Sequence, residues 1–454
     1  MRIAVVYHLP NPGGITRFTH ALIDGLLASG GEIAVDYYVS ERLLREDRVP
    51  RFADGAAVRS IAILDPDVID SPIDEPGVAT VGRTSPVHWV SGRLASHRLL
   101  HTAVRALYLV ARAATWRIIG RHPGKPWYKF TLPRDVVAAL GTYDVVYFPF
   151  PYYIQPTAIG APVVATFHDL NHKYFRANFG RAIRGALERQ LRFWTGRADA
   201  AVVSTRFVES DLLRYYPGAA GRTSVVYVAP YSIAPMSEAT RLEALARFGL
   251  RDAEFLLYPS NHSHHKNLVG LVKAADLMKR WDGHLPFPIV FTGFGTDGLG
   301  TGKWPAFAAL DEFLASSSLD LGVDVRGLGF VSDEEVDALT RSARIVVSTS
   351  LYEAGCGPAL DAWKFGVPVA FSNIPPFVEQ LEALGVEARM FDPRDPEDIA
   401  RVLEQALSDR EGSLAMAERS RKAIAGYGWE RAAQGYLRIF SEAIEHHRAK
   451  GARR

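Results

Sequence analysis

Two carboxylates, Glu353 and Asp361, lie eight residues apart and bracket a glycine-rich turn between an apolar run and a helical stretch. The apolar run, 345–347, is typical of a buried strand. Gly357 and Pro358 are residue types expected at the N-cap and first position of a helix. A helix start presents free backbone N–H groups and a positive dipole end, which suit a phosphate. A phosphate site between two hydroxyl-accepting carboxylates predicts a nucleotide-sugar, with one carboxylate for the sugar and one for the ribose.

The elements around this turn alternate between short apolar runs and helical patterns, which predicts parallel sheets with crossover helices. In the first half, strands are predicted at Ile3–Tyr7, Ile33–Val39, Val145–Phe148, Val163–Phe167, Ala200–Val203 and Ser224–Val228. In the second half, they are predicted at Phe255–Tyr258, Ile289–Thr292, Val323–Arg326, Ile345–Ser348, Val367–Phe371 and Ala388–Phe391. Helices are predicted, among others, at Ala177–Thr195, Leu268–Arg280 and Ile399–Leu407. The fold class is therefore α/β, and each half is expected to be doubly wound and Rossmann-like.

Length and composition set the domain count and exclude some function classes. A chain of 454 residues is too long for one ordinary core. The proline-containing segment 229–235 is the predicted linker, which divides the chain into domains 1–232 and 233–428 and a helical tail, 429–454. A net charge of +2 argues against a general nucleic-acid binder. The single cysteine, Cys356, permits no internal disulfide, so we expect a reducing cytoplasm. The chain opens on a strand-like run rather than a signal peptide, and no apolar run is long enough to span a bilayer.

One segment, residues 76–134, interrupts the alternation. It contains no Asp or Glu but ten Lys and Arg residues. Within it, Ser91–Arg121 has a helical pattern that mixes arginines with apolar residues, and Trp89 and Trp116 lie near its ends. A basic helix with aromatic ends can lie on an anionic membrane surface. The alternative is a solvated or acceptor-binding helix packed on the first domain, and the sequence leaves both open.

Further motifs occur in a fixed order along the chain, and together they resemble the family 4 glycosyltransferases. The motifs are Pro12-Gly13-Gly14-Ile15, Thr166-Phe167-His168-Asp169, Tyr258-Pro259-Ser260-Asn261 with Lys266, Thr292-Gly293-Phe294-Gly295, Gly327-Leu328-Gly329-Phe330-Val331 and Gly366-Val367-Pro368-Val369. Glu353 and Asp361 stand at the spacing of that family's Glu-x7-Glu signature. The family consists of retaining enzymes with the GT-B fold, in which two Rossmann-like domains face a cleft. Trp429 stands where the family's last helix crosses back to the first domain.

The resemblance implies a role for each matching residue. The implied catalytic residues are His168, Glu353 and Lys266. The implied donor-binding residues are Gly14, Asn261, Lys266, Gly293, Phe330, Val331, Glu353, Gly355, Cys356, Gly357 and Asp361. On the acceptor side it implies Gly13 and Asp169. No metal ion or other cofactor is expected, because a lysine and a helix dipole would stabilise the leaving group.

Two positions depart from the family pattern. The second carboxylate is Asp361, one methylene shorter than the usual Glu, so its ribose contact requires a closer backbone or a water. Many relatives carry an arginine where this chain has Asn261, so one fixed positive charge on the pyrophosphate is missing. His262, His264, His265 or a first-domain arginine could supply part of that charge. Relatives with such an asparagine are associated with mannose transfer in surface polysaccharides.

Each candidate residue also has a purely structural explanation. Glu353 could cap the following turn, and Asp361 could be a first-turn acid favoured by the helix dipole. Lys266 could be a solvated lysine, although a cation at a helix start opposes the dipole. His168 could be a histidine whose hydrogen bonds are satisfied at a strand end. The three histidines near Lys266 could bind a metal, but they have no companion cysteine or carboxylate.

The resemblance therefore implies a retaining glycosyltransferase that acts in surface polysaccharide synthesis. GDP-mannose is the first donor expected and UDP-sugars are the second, and the acceptor is a glycan or a lipid-linked saccharide. The expected location is the cytoplasm or, peripherally, the inner membrane face, and no nucleic-acid partner is expected. Two alternatives remain open, namely a nucleotide-sugar epimerase on the same fold and a non-catalytic protein that binds sugar nucleotides.

Overall fold

The structure is a computed structural model that describes residues 1–9, 13–30, 32–45, 49, 58–63, 127–231 and 236–452. Two predictions fall outside these ranges. One is the basic helix at 91–121 with most of the segment 76–134, and the other is the domain boundary at residues 232 and 233. Both stay predictions. No helix within the described ranges has the length and apolar character needed to cross a membrane.

In the described part of the first half, seven parallel strands form one sheet in the order β3-β2-β1-β4-β5-β6-β7. The strands are β1 Arg2–Tyr7, β2 Ala34–Ser40, β3 Val58–Ile63, β4 Val145–Phe148, β5 Val163–Thr166, β6 Ala200–Val203 and β7 Thr223–Val225. The helices are α1 Gly14–Ala28, α2 Glu41–Arg45, α3 Arg134–Leu140, α4 Asn171–Tyr174, α5 Arg181–Arg197 and α6 Arg206–Tyr215. The strand order reverses between β1 and β4, so a crevice opens there at the carboxyl end of the sheet.

In the second half, six parallel strands form a second sheet in the order β10-β9-β8-β11-β12-β13. The strands are β8 Leu256–Pro259, β9 Ile289–Thr292, β10 Val325–Gly327, β11 Ile345–Ser348, β12 Val369–Ser372 and β13 Arg389–Phe391. The helices are α7 Glu238–Arg247, α8 Leu268–Asp282, α9 Ala308–Ser316, α10 Asp333–Ser342, α11 Gly357–Phe365, α12 Pro375–Leu384, α13 Pro396–Ser408 and α14 Arg410–Ala423. Here the order reverses between β8 and β11, which brings together the loops that follow these two strands.

Both sheets follow the predicted pattern because their central strands are buried on both faces. All four residues of β4, β5, β9 and β11 are buried, as continuous apolar runs in a parallel sheet require. The predicted fold class, two Rossmann-like sheets with crossover helices, is confirmed. The strand β3 was not predicted. Among the described residues it pairs with β2 alone, at the sheet edge, and it buries only Ile63. Its sequence, which includes Arg59, therefore lacks the apolar run of a central strand.

The last helix, α15 (Trp429–Ala452), packs against α1 of the first sheet. A side chain at Gly25 would collide with the backbone of Trp429, so glycine permits this close approach. The indole of Trp429 packs edge-on against Phe18, with ring centroids 5.3 Å apart, and its Nε1 donates to the carbonyl oxygen of Pro230, 2.9 Å away. The chain therefore returns to the first sheet after completing the second, and α15 holds the start of the linker segment.

Candidate functional site

A cleft of about 660 Å³ lies between the two sheets and is lined by residues of both. The first half contributes Gly13, Gly14, Thr16, Arg17, His20 and Tyr231. Twelve of the predicted site residues line this cleft, namely Gly13, Gly14, Asn261, Lys266, Gly293, Phe330, Val331, Glu353, Gly355, Cys356, Gly357 and Asp361. Residues that are up to 348 positions apart in the chain thus meet at one place, because parallel strands end at the same edge of a sheet.

The centre of the cleft holds an ion pair between Lys266 and Glu353. Lys266 ends a short 3₁₀ turn after β8, and Glu353 follows β11, so both stand at the point where the strand order reverses. The distance from Lys266 Nζ to Glu353 Oε1 is 2.5 Å. Ser350 Oγ donates to the same oxygen at 2.7 Å, and Tyr258 OH donates to the carbonyl oxygen of Lys266 at 2.9 Å. These contacts hold the Glu353 side chain and the Lys266 backbone in place at the cleft wall.

Burial and charge have opposite effects on Glu353. Burial raises the pKa of its carboxyl, but the ammonium group of Lys266 and the hydrogen bonds outweigh burial, and the net pKa lies below its ordinary value. Glu353 is therefore ionised at neutral pH and can accept hydrogen bonds from hydroxyl groups. The side chains remain 22% (Lys266) and 16% (Glu353) exposed, so a ligand in the cleft can reach them.

The helix α11 begins at the cleft wall, one residue earlier than predicted. Cys356, rather than Gly357, is the N-cap, and the helix starts at Gly357. The side chain of Gln380 explains the difference, because its Oε1 accepts from the backbone N–H of Cys356 at 2.7 Å and its Nε2 donates to the carbonyl oxygen of Cys356. Burial raises the pKa of the Cys356 thiol to about 12, so this residue is a small neutral group. Gly357 and Pro358 at the helix start line the cleft, so the positive end of the helix dipole faces it.

The second signature carboxylate, Asp361, lies in the cleft wall with two contacts that the sequence did not predict. Its Oδ1 accepts from the backbone N–H of Tyr231 at 2.7 Å, and its Oδ2 lies 3.7 Å from the guanidinium of Arg17. Tyr231 belongs to the linker segment and Arg17 to the first turn of α1. A first-domain arginine was expected near the donor, but Arg17 was not singled out. A signal for it was present, because a cation in the first turn of a helix opposes the dipole, as it does at Lys266.

His168 and Asp169 are the two predicted residues that do not line this cleft. His168 lines a smaller cavity of about 110 Å³ behind the glycine-rich turn, which shares Tyr231, Gly355 and Gly357 with the main cleft. Its Nε2 donates to the carbonyl oxygen of Pro149 at 2.9 Å. Burial lowers the pKa of His168 to about 4, so the ring is neutral at pH 7. Asp169 Oδ1 accepts from the backbone N–H of Asn171 at 2.9 Å, a local turn contact.

The three histidines near Lys266 do not line the cleft either. His262 is buried, stacks on Trp304 with centroids 4.9 Å apart and donates from Nδ1 to the carbonyl oxygen of Phe294. His265 accepts at Nδ1 from the side-chain amide of Asn171, and burial, followed by the charge of Lys266, lowers its pKa to about 4. Arg17 is therefore the first-domain arginine that the structure places in the cleft. Within the described ranges no three His, Cys, Asp or Glu side chains are grouped as metal ligands would be.

Backbone geometry brings the loop after β9 close to Asn261. Gly293 has φ 129°, and a Cβ there would collide with the carbonyl group of Ser260. Glycine thus lets the loop after β9 touch the loop after β8, which contains Asn261. Within the latter loop, Asn261 Oδ1 accepts from the backbone N–H of Ser263 at 3.0 Å. At the rim of the cleft, Phe330 is 56% exposed and presents an apolar face to solvent.

Two family models match this chain. The model described as "Glycosyl transferases group 1" matches residues 244–423, and the model described as "Glycosyltransferase Family 4" matches residues 87–229. Together the two ranges cover most of the chain. The first contains Lys266, Glu353 and Asp361, and the second contains His168 and Asp169.

Individual proteins are similar over long stretches. The O-antigen chain mannosyltransferase B of Escherichia coli is 26% identical over 293 residues, which are 62% of this chain and 70% of that protein. The D-inositol 3-phosphate glycosyltransferase 1 of Catenulispora acidiphila is 25% identical over 423 residues, 86% of this chain and 97% of that protein. Among solved structures, the Anabaena protein HepE in complex with UDP-glucose superposes with a TM-score of 0.63 at 14% identity, covering 97% of this chain and 99% of that chain.

Proposed function

Because this chain belongs to the family 4 glycosyltransferases and has the GT-B fold, we propose that it transfers mannose, with retention of configuration, from a nucleotide-sugar to a glycan or lipid-linked acceptor in surface polysaccharide synthesis. One observation carries the proposal. The Lys266–Glu353 pair stands beside the start of α11 in a cleft between two doubly wound sheets. A cation and a helix start for a diphosphate, next to a carboxylate for sugar hydroxyls, are the groups that such a donor needs.

The proposed mechanism assigns a task to each of these groups. Cleavage of the donor leaves negative charge on a nucleoside diphosphate, and fixed positive groups accelerate that step. Lys266 and the N–H groups at the start of α11 would stabilise this charge. Glu353, which Ser350 also holds, would accept hydrogen bonds from the sugar hydroxyls and orient the anomeric carbon. When the donor binds, the ammonium group of Lys266 would turn from Glu353 to the phosphates.

The acceptor and the stereochemistry follow the family. Attack from the same face as the departing phosphate, with that phosphate accepting the proton of the acceptor, needs no protein nucleophile. His168, which lies behind the glycine-rich turn, would contact the sugar or the acceptor from the small cavity. Because Nε2 of the neutral ring already donates to Pro149, Nδ1 can accept one hydrogen bond from a sugar or acceptor hydroxyl without titrating near pH 7.

The choice of donor rests on the relatives. The name of the Escherichia coli relative specifies mannose transfer, so GDP-mannose is the first donor proposed. UDP-sugars are the second class, and the Anabaena fold neighbour, which was solved with UDP-glucose, is a reason to include them in any screen. We also propose that the protein works in the cytoplasm at the inner membrane face, which a lipid-linked acceptor requires.

The test is a screen of GDP-mannose, UDP-glucose, UDP-galactose and UDP-N-acetylglucosamine for thermal stabilisation and for donor hydrolysis. A bound donor raises the melting temperature by mass action, and NMR of the transferred sugar reports its anomeric configuration. Glu353→Gln should lower turnover about 100-fold or more in a protein that still folds, because it removes an orienting charge. Glu382→Gln, on the exposed face of α12, is the matched control.

Three outcomes would overturn the proposal. Full turnover in a folded Glu353→Gln protein would exclude its assigned role. Interconversion of the nucleotide-sugar without an acceptor would indicate an epimerase. Donor binding without hydrolysis or transfer would indicate a sugar-nucleotide-binding protein.

A further inference from the structure

Arg17 reaches across the cleft from the first half to three carboxylates of the second. Its guanidinium lies 3.3 Å from Asp333, 3.6 Å from Asp337 and 3.7 Å from Asp361. Asp333 and Asp337 belong to α10, and Asp361 belongs to α11. The guanidinium also lies over the ring of Tyr231, 5.1 Å from its centroid.

These contacts are not an ordinary surface ion pair. The Arg17 side chain is 21% exposed, that of Asp337 13% and that of Asp361 4%, whereas Asp333 is 70% exposed. The contacts of Arg17 with Asp337 and Asp361 are therefore stronger than those between surface charges, and these two carboxylates are costly when left unpaired. Lys364 of α11 also acts electrostatically on Asp337 and Asp361, and Arg17 adds the positive charge that comes to this wall of the cleft from the opposite domain.

The same contacts determine where the carboxylate of Asp361 points. One oxygen is held by the N–H of Tyr231 in the linker segment, and the other faces Arg17. Asp361 is one methylene shorter than the glutamate usual at this position, so its side chain extends less far into the cleft. Its placement therefore depends on two groups that do not belong to the second sheet.

We propose that Arg17 is a positioning residue for the nucleoside diphosphate. From the opposite side of the cleft, Arg17 neutralises the Asp333–Asp337 pair and orients Asp361. The inference rests on the proposed function, since it concerns the same donor site. Without Arg17, three carboxylates would stand near a diphosphate that carries negative charge of its own, and Asp361 would lose one of the contacts that hold it. The first domain thereby contributes to a nucleotide site that the second domain otherwise builds.

Direct binding of the diphosphate by Arg17 is a different role, and the geometry favours neutralisation, because the guanidinium already faces three carboxylates. The two roles differ in one testable respect. If Arg17 neutralises acids, then removing the acids should compensate for its loss. If Arg17 binds phosphate, removing the acids should not.

The experiment measures the affinity for GDP and UDP by calorimetry in wild type, Arg17→Ala, Arg17→Lys, and Arg17→Ala combined with Asp333→Asn and Asp337→Asn. Arg17→Ala should bind about tenfold more weakly or worse, and the triple variant should recover most of that loss. Arg17→Lys keeps the charge, and its affinity for GDP and UDP should lie between those of wild type and Arg17→Ala, because an ammonium group cannot reach three carboxylates at once. In donor turnover, Arg17→Ala should raise KM more than it lowers kcat. Arg45→Ala, which removes an exposed arginine paired with Glu41 on α2, is the matched control and should leave both unchanged.

The possible results distinguish failure of the role of Arg17 from failure of the proposed function. Wild-type affinity in a folded Arg17→Ala protein would overturn the inference, and so would a loss that the two asparagines do not recover. If wild type itself binds neither GDP nor UDP, the proposed function fails, which is distinct from failure of the role of Arg17. If Arg17→Ala does not fold, Arg17→Lys with and without the two asparagines provides the same comparison.

Discussion

Replacing Lys266 by alanine should destabilise the protein through Glu353. The substitution leaves a carboxylate that is 16% exposed without its charge partner at 2.5 Å. Removing one partner of a buried pair costs about 3–5 kcal/mol, and the remaining bond from Ser350 and the partial exposure reduce this to about 2 kcal/mol. For a domain of this size, about 2 kcal/mol lowers the melting temperature by about 4–8 °C.

The effect should depend on pH with a definite sign. In wild type, burial raises the pKa of Glu353 but Lys266 outweighs it, so the folded pKa is lowered. The pair then contributes stability above the unfolded pKa and loses it as the pH falls through the folded pKa. In Lys266→Ala, burial is left without the lysine and the folded pKa of Glu353 rises. The variant should therefore lose stability as the pH rises through that pKa. The difference in melting temperature between wild type and Lys266→Ala should widen from acidic to neutral pH.

The assay is thermal unfolding of wild type, Lys266→Ala, Glu353→Gln and the double variant across this pH range. The double variant should be more stable at neutral pH than Lys266→Ala, because it no longer buries an unpaired charge. Lys266→Ala should also bind GDP and UDP more weakly. Lys422→Ala, which removes a lysine that is 71% exposed, is the control. Additive single effects together with a gap that does not change with pH would refute this account of the pair.

Other predictions address the domain contact, the metal and the membrane. Glu379 of α12 accepts from two backbone N–H groups at the start of α6, at 2.6 and 2.9 Å. Glu379→Gln should therefore lower stability by about 1 kcal/mol, whereas Glu382→Gln on the same helix should not. Equal melting curves for the two variants would contradict this. Activity should persist in EDTA, and a complete loss that added metal reverses would point to a metal-dependent mechanism. The segment 91–121 should bind anionic but not neutral liposomes, with each basic side chain near the surface contributing about 1 kcal/mol, and high salt should release it. Co-sedimentation should show this binding in wild type and not after charge reversal at Arg98, Arg105 and Arg112; equal, negligible binding throughout would leave the acceptor-binding alternative.

Much of the fold was predictable because its signals are local. Apolar runs such as 145–148 and 345–348 are buried on both faces of a parallel sheet and show clearly in the sequence. The edge strand β3 was not predictable in this way, since it needs only one buried residue and one partner strand. The start of α11 was misplaced by one residue because the side chain of Gln380, more than twenty positions later, binds the backbone of Cys356.

That Glu353, Asp361 and Lys266 would meet in one cleft was also predictable, since they stand at spacings that have a chemical meaning. Their mutual geometry was not. The sequence placed His168 with them, whereas the structure puts it in a separate small cavity behind the glycine-rich turn. It allowed for a first-domain arginine but did not identify Arg17, which meets the acids of α10 more than 300 positions away.

The sequence by itself determined the elements, the order of the motifs and the residue types available for chemistry, because these depend on neighbours in the chain. Only the tertiary structure decided which charges meet. The loops after β8 and β11 converge because the strand order reverses between them, and so Lys266 pairs with Glu353. Arg17 faces Asp361 because two separately wound sheets close on one cleft. Electrostatic energy falls with distance in space and not along the chain, so these pairings could be known only from the folded protein.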